Sequence, residues 1–442
     1  MIKKTALCLT TALLLGACSS GWFSDDKEAP PLPGDRVSIL ELQQQLQPDS
    51  EVRVIENYSA PKAWANEYWP QAGGYPNHSM QNLAFSENEP KQIWSTDIGE
   101  GTASLPLTAQ PVVVGGKIFA LDTRSQLSAY NIKNGDRLWS VNARKVTEDD
   151  DPVITGGIAF SGGVLYVTPG YNEVLAVNPE DGKIFWRAPL NSPSRAAPSI
   201  LDGRVFVTTL SNSVQAFNAK DGTMLWTYEG IQNDAGILGA ASPAANGSLV
   251  IPGFSSGEVY ALRVENGSVA WSDNLAGVLR LGGLGGLSDI RGLPVVDKGL
   301  VYAISFGGKM AAIDERTGTR VWARDIGGSE TPWISGSHLF VITGNSEVVA
   351  LNRETGAIAW VSQLARYEEK ETKSGHISWT GPIMAGGRLL AFSADGRAAE
   401  ISPADGKLIR QWRTERPVRI PPVVAGGTLY LLAEDGSLMA YK

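Results

Sequence analysis

The chain of 442 residues contains few of the residues from which many functional sites are built. Its two cysteines, Cys8 and Cys18, both lie near the beginning, so no disulfide bond can form within the remaining chain. Three histidines, His78, His338 and His376, are too far apart to predict a histidine-rich metal site. The net charge of −8 argues against a nucleic-acid partner, for which a basic surface is expected.

Motifs that hold phosphates or activate a serine are also missing or incomplete. The glycine-rich stretch LRLGGLGGLSD (279–289) has neither the GxGxxG spacing nor the lysine of a phosphate-binding loop. Residues 253–257 fit GxSxG, but they fall in a predicted hairpin turn, whereas a hydrolase serine needs a strand-to-helix turn and a histidine. The acidic run 148–151 is expected to be a solvated loop, with cation binding as the alternative. We therefore predict no catalytic residues, cofactor or metal.

Long hydrophobic runs are absent except at the start, MIKKTALCLTTALLLGACSS. The basic beginning, short apolar core and small residues predict a signal peptide over residues 1–17, too short to remain as a membrane-spanning helix. The tetrapeptide ending at Cys18 fits a bacterial lipobox, so we expect Cys18 to be lipidated and to anchor the chain in a membrane. An ordinary cleaved leader with an incidental cysteine is the alternative. Residues 18–68 comprise this cysteine and a segment rich in Pro, Asp, Glu and Gln. We expect this segment to be a flexible tether.

Most of the chain repeats one frame, for example ALNRETGAIAW (350–360). In six copies a glycine follows the alanine by six positions and a tryptophan follows the glycine by four; these tryptophans are Trp139, Trp186, Trp226, Trp271, Trp322 and Trp360. The glycine and a preceding Asn or Asp predict a tight turn. Because KIFW and TMLW are apolar on both faces, we expect the strand after the turn to be covered on both sides. The tryptophans are expected to pack between repeats rather than to contact a ligand.

Three further strand patterns precede each frame, and this unit of about 40 to 50 residues is typical of a propeller blade. A seventh copy has Glu400 and Arg410 in place of the alanine and the tryptophan, with Trp412 two residues late. The last repeat stops at Ala440, and a strand near 92–97 is predicted to complete it, since an open ring would expose unpaired edges. The sequence thus predicts an all-β, eight-bladed β-propeller of four-stranded antiparallel blades over residues 69–442. Residues 69–80 are expected on its surface.

Irregular connections between blades are the expected place for function, because packing constrains the strands to a common pattern. Residues 279–291 are the most unusual connection, with leucines, paired glycines and two charges. They predict a partner-binding patch, an apolar centre with a charged rim, made of Leu284, Leu287, Asp289 and Arg291, together with Arg195 from the adjoining loop. The alternative is a loop that packs its leucines onto neighbouring blades.

The repeats resemble the tryptophan-docked propellers of pyrroloquinoline quinone dehydrogenases, and with its lipobox and eight blades the chain resembles the BamB family of lipoproteins. This resemblance implies a non-enzymatic scaffold that binds BamA through its POTRA domains and helps to deliver unfolded outer-membrane proteins. It further implies a monomer within a complex, on the periplasmic face of the outer membrane. By the sorting rule of such lipoproteins, Ser19 in place of an aspartate after the cysteine favours transport to that membrane. The alternatives are a quinoprotein oxidoreductase, for which adjacent cysteines would be expected, and another periplasmic envelope scaffold.

Two loop motifs of that family are implicated in contacting BamA, a leucine-leucine-arginine patch and a Ser-Asp-hydrophobic-Asp stretch. By this resemblance Arg195 corresponds to the arginine of the first motif, although Ser192 and Ser194 replace its leucines. Asp289 corresponds to the first aspartate of the second motif, and Arg291 stands where the second aspartate would be.

Overall fold

The computed structural model describes residues 46–49, 58, 60–99, 101, 105–145, 151–233, 239–276 and 288–442. These residues form strands and turns, and no helix among them is long and apolar enough to cross a membrane. The predicted signal peptide, Cys18 and most of the predicted tether lie outside the described residues.

Eight four-stranded antiparallel sheets form the blades of a ring. The innermost strand of each blade is β2 (Val112–Val114), β6 (Gly157–Ser161), β10 (Ser199–Leu201), β14 (Ala244–Asn246), β18 (Val295–Asp297), β22 (Trp333–Ser335), β28 (Trp379–Ala385) or β32 (Val423–Ala425). The second strands are β3 (Lys117–Leu121), β7 (Val164–Thr168), β11 (Arg204–Thr208), β15 (Leu249–Ile251), β19 (Leu300–Ile304), β23 (His338–Ile342), β29 (Arg388–Ser393) and β33 (Thr428–Leu432).

The third strands are β4 (Gln126–Asn131), β8 (Glu173–Val177), β12 (Ser213–Asn218), β16 (Glu258–Arg263), β20 (Met310–Asp314), β24 (Glu347–Asn352), β30 (Arg397–Ile401) and β34 (Ser437–Tyr441). The outermost strands are β5 (Arg137–Asn142), β9 (Ile184–Pro189), β13 (Met224–Glu229), β17 (Val269–Asn274), β21 (Arg320–Arg324), β25 (Ile358–Gln363), β31 (Leu408–Arg413) and β1 (Gln92–Asp97). Blades are numbered 1 to 8 from β2 onwards, and a small hairpin, β26 (Tyr367–Glu369) with β27 (Ser374–His376), lies between blades 6 and 7.

Blade 8 takes its strands from both ends of the described chain. Strand β1 pairs antiparallel with β34, with Trp94 opposite Ala440, and so supplies the outermost strand that the last repeat lacks. The predicted eight-bladed propeller and its closure by the strand at 92–97 are therefore confirmed.

The repeated tryptophan of each blade packs onto the glycine turn of the next blade. A Cβ placed on Gly267 would lie 2.5 Å from Trp226 Cε3, so only glycine allows the indole to approach this turn. Gly267 also has a φ of +71°, which side chains disfavour. The Trp226 Nε1 donates to Val264 O at 3.0 Å. The same contact recurs around the ring, so the predicted packing role of the tryptophans is confirmed.

The contact between blades 7 and 8 is different because β34 and β1 are not joined by a glycine turn. Arg410 occupies the position of the docking tryptophan there. The fully buried Glu400 lies 2.7 Å from Arg388 Nε and 3.6 Å from Arg410 Nη1, and it accepts a hydrogen bond from Trp412 Nε1. An ionic cluster within blade 7 thus occupies the position of the docking tryptophan, while the ring of Trp412 packs against Tyr441 of blade 8 with the ring centroids 5.3 Å apart.

Two sequence-based expectations were wrong. The strand that carries the tryptophan is not covered on both sides, because it is the outermost strand of its blade; Phe185 and Leu225 are exposed. Residues 69–80 do not lie on the surface either, because Trp69, His78 and Met80 are buried.

Residues 66–83, which we call the strap, run around the inside of the ring and contact the blades in order. The main chain of Trp69 pairs with Val113 of blade 1, and Pro70 O accepts from Phe160 N of blade 2. Gln71 exchanges two side-chain hydrogen bonds with the main chain of Ile200 in blade 3.

The remaining blades follow in sequence along the strap. Main-chain oxygens of the strap accept from Ala245 N in blade 4 and Val296 N in blade 5, and Gln81 accepts from blade 6. Leu83 pairs with the main chain of blade 7, and Asn66, at the start of the strap, bonds to blade 8. The strap therefore satisfies polar groups along the innermost strands, which otherwise have a free edge towards the channel.

Candidate functional site

The strand order gives the propeller two different faces. Turns between the first and second strands and between the third and outermost strands lie on one face, which we call the hairpin face. Connections from each outermost strand to the next blade lie on the opposite face, the loop face, together with the turns between second and third strands. The irregular connections chosen from the sequence are all of this kind, so they surround the same mouth of the central channel.

The channel contains a cavity of about 120 Å³ that is lined by residues of the loop face. Its floor is the strap, with Trp69, Gly73 and His78, and its walls come from residues just before the innermost strands. His78 Nδ1 lies 2.7 Å from Pro294 O, and burial lowers the pKa of His78 to about 4, so this floor residue is neutral at physiological pH.

Arg195 and Arg291, two residues of the predicted partner-binding patch, lie together at this mouth. Both line the channel cavity and an adjoining cavity between blades 3 and 5 that also contains Asp289. Neither guanidinium makes a hydrogen bond or an ion pair with any residue that the structure describes, and both side chains are partly exposed. Arg291 acts electrostatically on the carboxylate of Glu330, whereas no described carboxylate forms an ion pair with Arg195. These partly exposed guanidinium groups can still accept acidic groups of a partner.

Asp289 is positioned by its main chain rather than presented to solvent. Its carbonyl oxygen accepts from Phe306 N at 2.8 Å, and the neighbouring Ile290 N donates to Phe254 O. Ile290 enters the hydrophobic core, while the Asp289 side chain is only 4% exposed. Asp289 therefore supports the shape of this wall more than it offers a contact surface.

Glu330 is a mouth residue that the sequence analysis missed. Its carboxylate accepts from Thr380 Oγ1 at 2.7 Å and Gly381 N at 3.3 Å. Burial raises the pKa of Glu330, while the charge of Arg291 and these hydrogen bonds act in the opposite direction. No local motif marks Glu330, because its role depends on Arg291 and Thr380 of two other blades.

Leu284 and Leu287 lie outside the described residues, so their predicted part in the patch stays a prediction. Ser194, which stands where the resemblance would place a leucine, is buried and donates to Thr208 O at 2.7 Å. Ile231, a large apolar side chain that follows β13 on the loop face, is exposed.

The motifs with catalytic appearance have structural roles. Ser255 of the GxSxG stretch bonds Asn212 Oδ1 at 3.0 Å in a turn between two strands. Within the described ranges, no group of three or more His, Cys, Asp or Glu side chains could hold a metal ion.

These features define a class of protein: an eight-bladed β-propeller with a central cavity and two arginines at the mouth of that cavity. The family described as "Outer membrane protein assembly factor BamB" matches residues 78–148, 142–362 and 361–442. The chain belongs to this family. Membership agrees with the predicted non-enzymatic role in outer-membrane assembly.

Relatives of the same description cover most of the chain. The protein from Salmonella typhimurium is 29% identical over 367 residues, which are 82% of this chain and 91% of that protein. The protein from Yersinia pestis is 26% identical over 370 residues, 82% of this chain and 92% of the relative. An outer-membrane or periplasmic location follows from this membership.

Solved structures show the fold alone. BamB from Moraxella catarrhalis has a TM-score of 0.65 at 22% identity, covering 80% of this chain and 98% of that one. Quinohemoprotein alcohol dehydrogenase from Comamonas testosteroni has a TM-score of 0.67 at 13% identity, covering 88% and 82%. The quinoprotein alternative is not favoured, because Cys8 and Cys18 are the only cysteines and are not adjacent.

Proposed function

We propose that this chain is a lipid-anchored scaffold that binds a BamA-type partner through that protein's POTRA domains and assists the assembly of unfolded outer-membrane proteins. The observation that carries the proposal is the pair of partly exposed arginines, Arg195 and Arg291, which lie together at the mouth on the loop face without a described hydrogen bond or ion pair. Residues of the strap line the inner end of this cavity, and the two arginines lie at its mouth on the loop face.

The structure shows which substitutions are suitable for testing this proposal. Replacing Asp289 would disturb a buried side chain, so loss of binding could reflect damage to the fold. Arg195 and Arg291 are partly exposed and can be changed to glutamate without removing a described hydrogen bond. Arg263, exposed on the hairpin face, is the matched control.

The experiment measures binding of the purified mature chain to the POTRA region of BamA from the same organism by calorimetry. Arg195→Glu with Arg291→Glu should weaken binding by at least about tenfold, because charge reversal at a rim opposes association. Arg263→Glu should leave it unchanged. Absence of binding by the unsubstituted chain, or equal binding by the double variant, would overturn the proposal.

A further inference from the structure

The outermost strands present a repeated row of exposed apolar side chains. Each is the last strand of its sheet, so one of its edges has no neighbouring strand among the described residues. Met224 and Leu225 in blade 3 are 52% and 44% exposed, and Leu408 and Ile409 in blade 7 are 55% and 53% exposed. An apolar edge strand with free main-chain groups is a template for another extended chain.

Blade 6 shows what such an edge accepts. Asp49, from the segment before the strap, lies on β25: its main-chain N donates to Ile358 O at 2.9 Å, and Ile358 N donates to Asp49 Oδ2 at 2.8 Å. Arg324 of blade 5 holds the same carboxylate oxygen at 3.0 Å. Asp49 thus satisfies both main-chain groups of Ile358 on this edge.

The apolar side chain on the covered edge of blade 6 is buried. Ile358, two residues before the docking tryptophan, is 6% exposed. At the equivalent position, Met224 is 52% and Val269 is 46% exposed, and no segment of the described chain lies on those edges. Ile358, which Asp49 covers, is therefore buried, whereas Met224 and Val269, on which no described segment lies, are exposed.

We propose that the outer edges of blades 3, 4 and 7 bind extended polypeptide segments with alternating apolar and polar residues by adding a strand to each blade. Main-chain hydrogen bonds would supply binding without sequence specificity, and the exposed apolar pairs would favour strand-forming segments. This inference rests on the proposed function, because it assigns the unfolded outer-membrane protein to the rim and the BamA-type partner to the loop face. One edge binds weakly, and several edges on one rigid ring strengthen binding of a long chain.

The test uses the purified mature chain and a fluorescent peptide of about ten residues that alternates valine and threonine and carries a lysine at each end. A second peptide is N-methylated at every other residue, which removes donors from one edge and leaves the side chains. Fluorescence anisotropy should show binding of the first peptide and at least about tenfold weaker binding of the second. Equal binding of the two peptides would overturn strand addition.

Substitutions localise the binding. The fourfold variant Met224→Lys, Leu225→Lys, Leu408→Lys and Ile409→Lys should reduce the number of peptides bound per propeller while remaining folded by circular dichroism. Ile231→Lys, an equally exposed apolar site off any strand, should not. Asp49→Ala should raise the number bound by exposing the edge of β25. Unchanged binding in the fourfold variant would overturn the assignment to these edges.

The same variants separate this inference from the proposed function. The fourfold edge variant should retain the POTRA interaction, whereas Arg195→Glu with Arg291→Glu should retain peptide binding. Peptide binding without any POTRA interaction would refute the proposed function and leave strand addition supported; the reverse result would refute strand addition alone.

Discussion

Changing Gly267 to alanine should test directly whether the docked tryptophans hold neighbouring blades together. The new Cβ would lie 2.5 Å from Trp226 Cε3, and the residue would keep a φ of +71°. The left-handed backbone should cost about 1–2 kcal/mol and the overpacking about 1–3 kcal/mol. Trp226→Ala alone should cost about 3–5 kcal/mol through the cavity that it leaves.

The double variant distinguishes the two contributions. Without the indole, the alanine at 267 meets no ring, so it should cost only the backbone strain of about 1–2 kcal/mol. The two substitutions should therefore be non-additive by about 1–3 kcal/mol. Urea unfolding followed by far-ultraviolet circular dichroism measures each free energy of unfolding.

Gly247 provides the matched control in the same blade. It has a φ of +54°, but a Cβ there would meet no atom within 4 Å. Gly247→Ala should therefore add to Trp226→Ala without coupling. A cost of Gly267→Ala that is equal in both backgrounds, within about 0.5 kcal/mol, would refute the docking argument.

Three other predictions concern the strap and blade 7. A chain that begins at residue 60 should melt close to the mature protein, whereas one that begins at residue 86 keeps β1 but loses the strap and should melt several degrees lower; equal melting temperatures would refute a stabilising strap. Because the folded pKa of His78 is about 4 and its ordinary value is 6.5, only the unfolded chain binds this proton between those values, so stability should fall by about 3 kcal/mol on acidification from pH 6.5 to 4. His78→Gln should lose that part of the pH dependence, as measured by urea unfolding across this range, and an identical pH profile would contradict it. Glu400→Gln should cost about 3–5 kcal/mol in the same assay by leaving Arg388 buried without its charge partner, and a change below about 1 kcal/mol would contradict this role.

The blade architecture could be predicted because its determinants are local and repeated. The glycine and the tryptophan of each frame occur at fixed spacing. The tryptophan of one blade packs against the glycine turn of the next blade. The error about KIFW and TMLW arose because an apolar strand reads alike whether it is central or at an edge; Phe185 is exposed because β9 is the last strand of its sheet. The pattern of apolar and polar residues does not show whether a strand is central or at the edge of its sheet.

The strap could not be predicted from the sequence. Its contacts are mostly single hydrogen bonds to main-chain atoms, one or two for each blade, and these leave no repeat or motif. Arg195 and Arg291 both belong to inter-blade connections, which the strand order places on one face, and their part in binding a partner stays a prediction. Glu330 was missed because its neighbours come from distant parts of the chain.

Photo-cross-linking in cells tests the central claim most directly, that the loop face holds a BamA-type partner. A photoreactive phenylalanine analogue would replace Ile231, exposed on the loop face of blade 3, or Lys220, exposed on the hairpin face of the same blade. The account predicts a cross-link to the BamA-type protein from position 231 and none from position 220. A cross-link from position 220 alone, or from neither position while the protein is folded and at normal abundance, would contradict it.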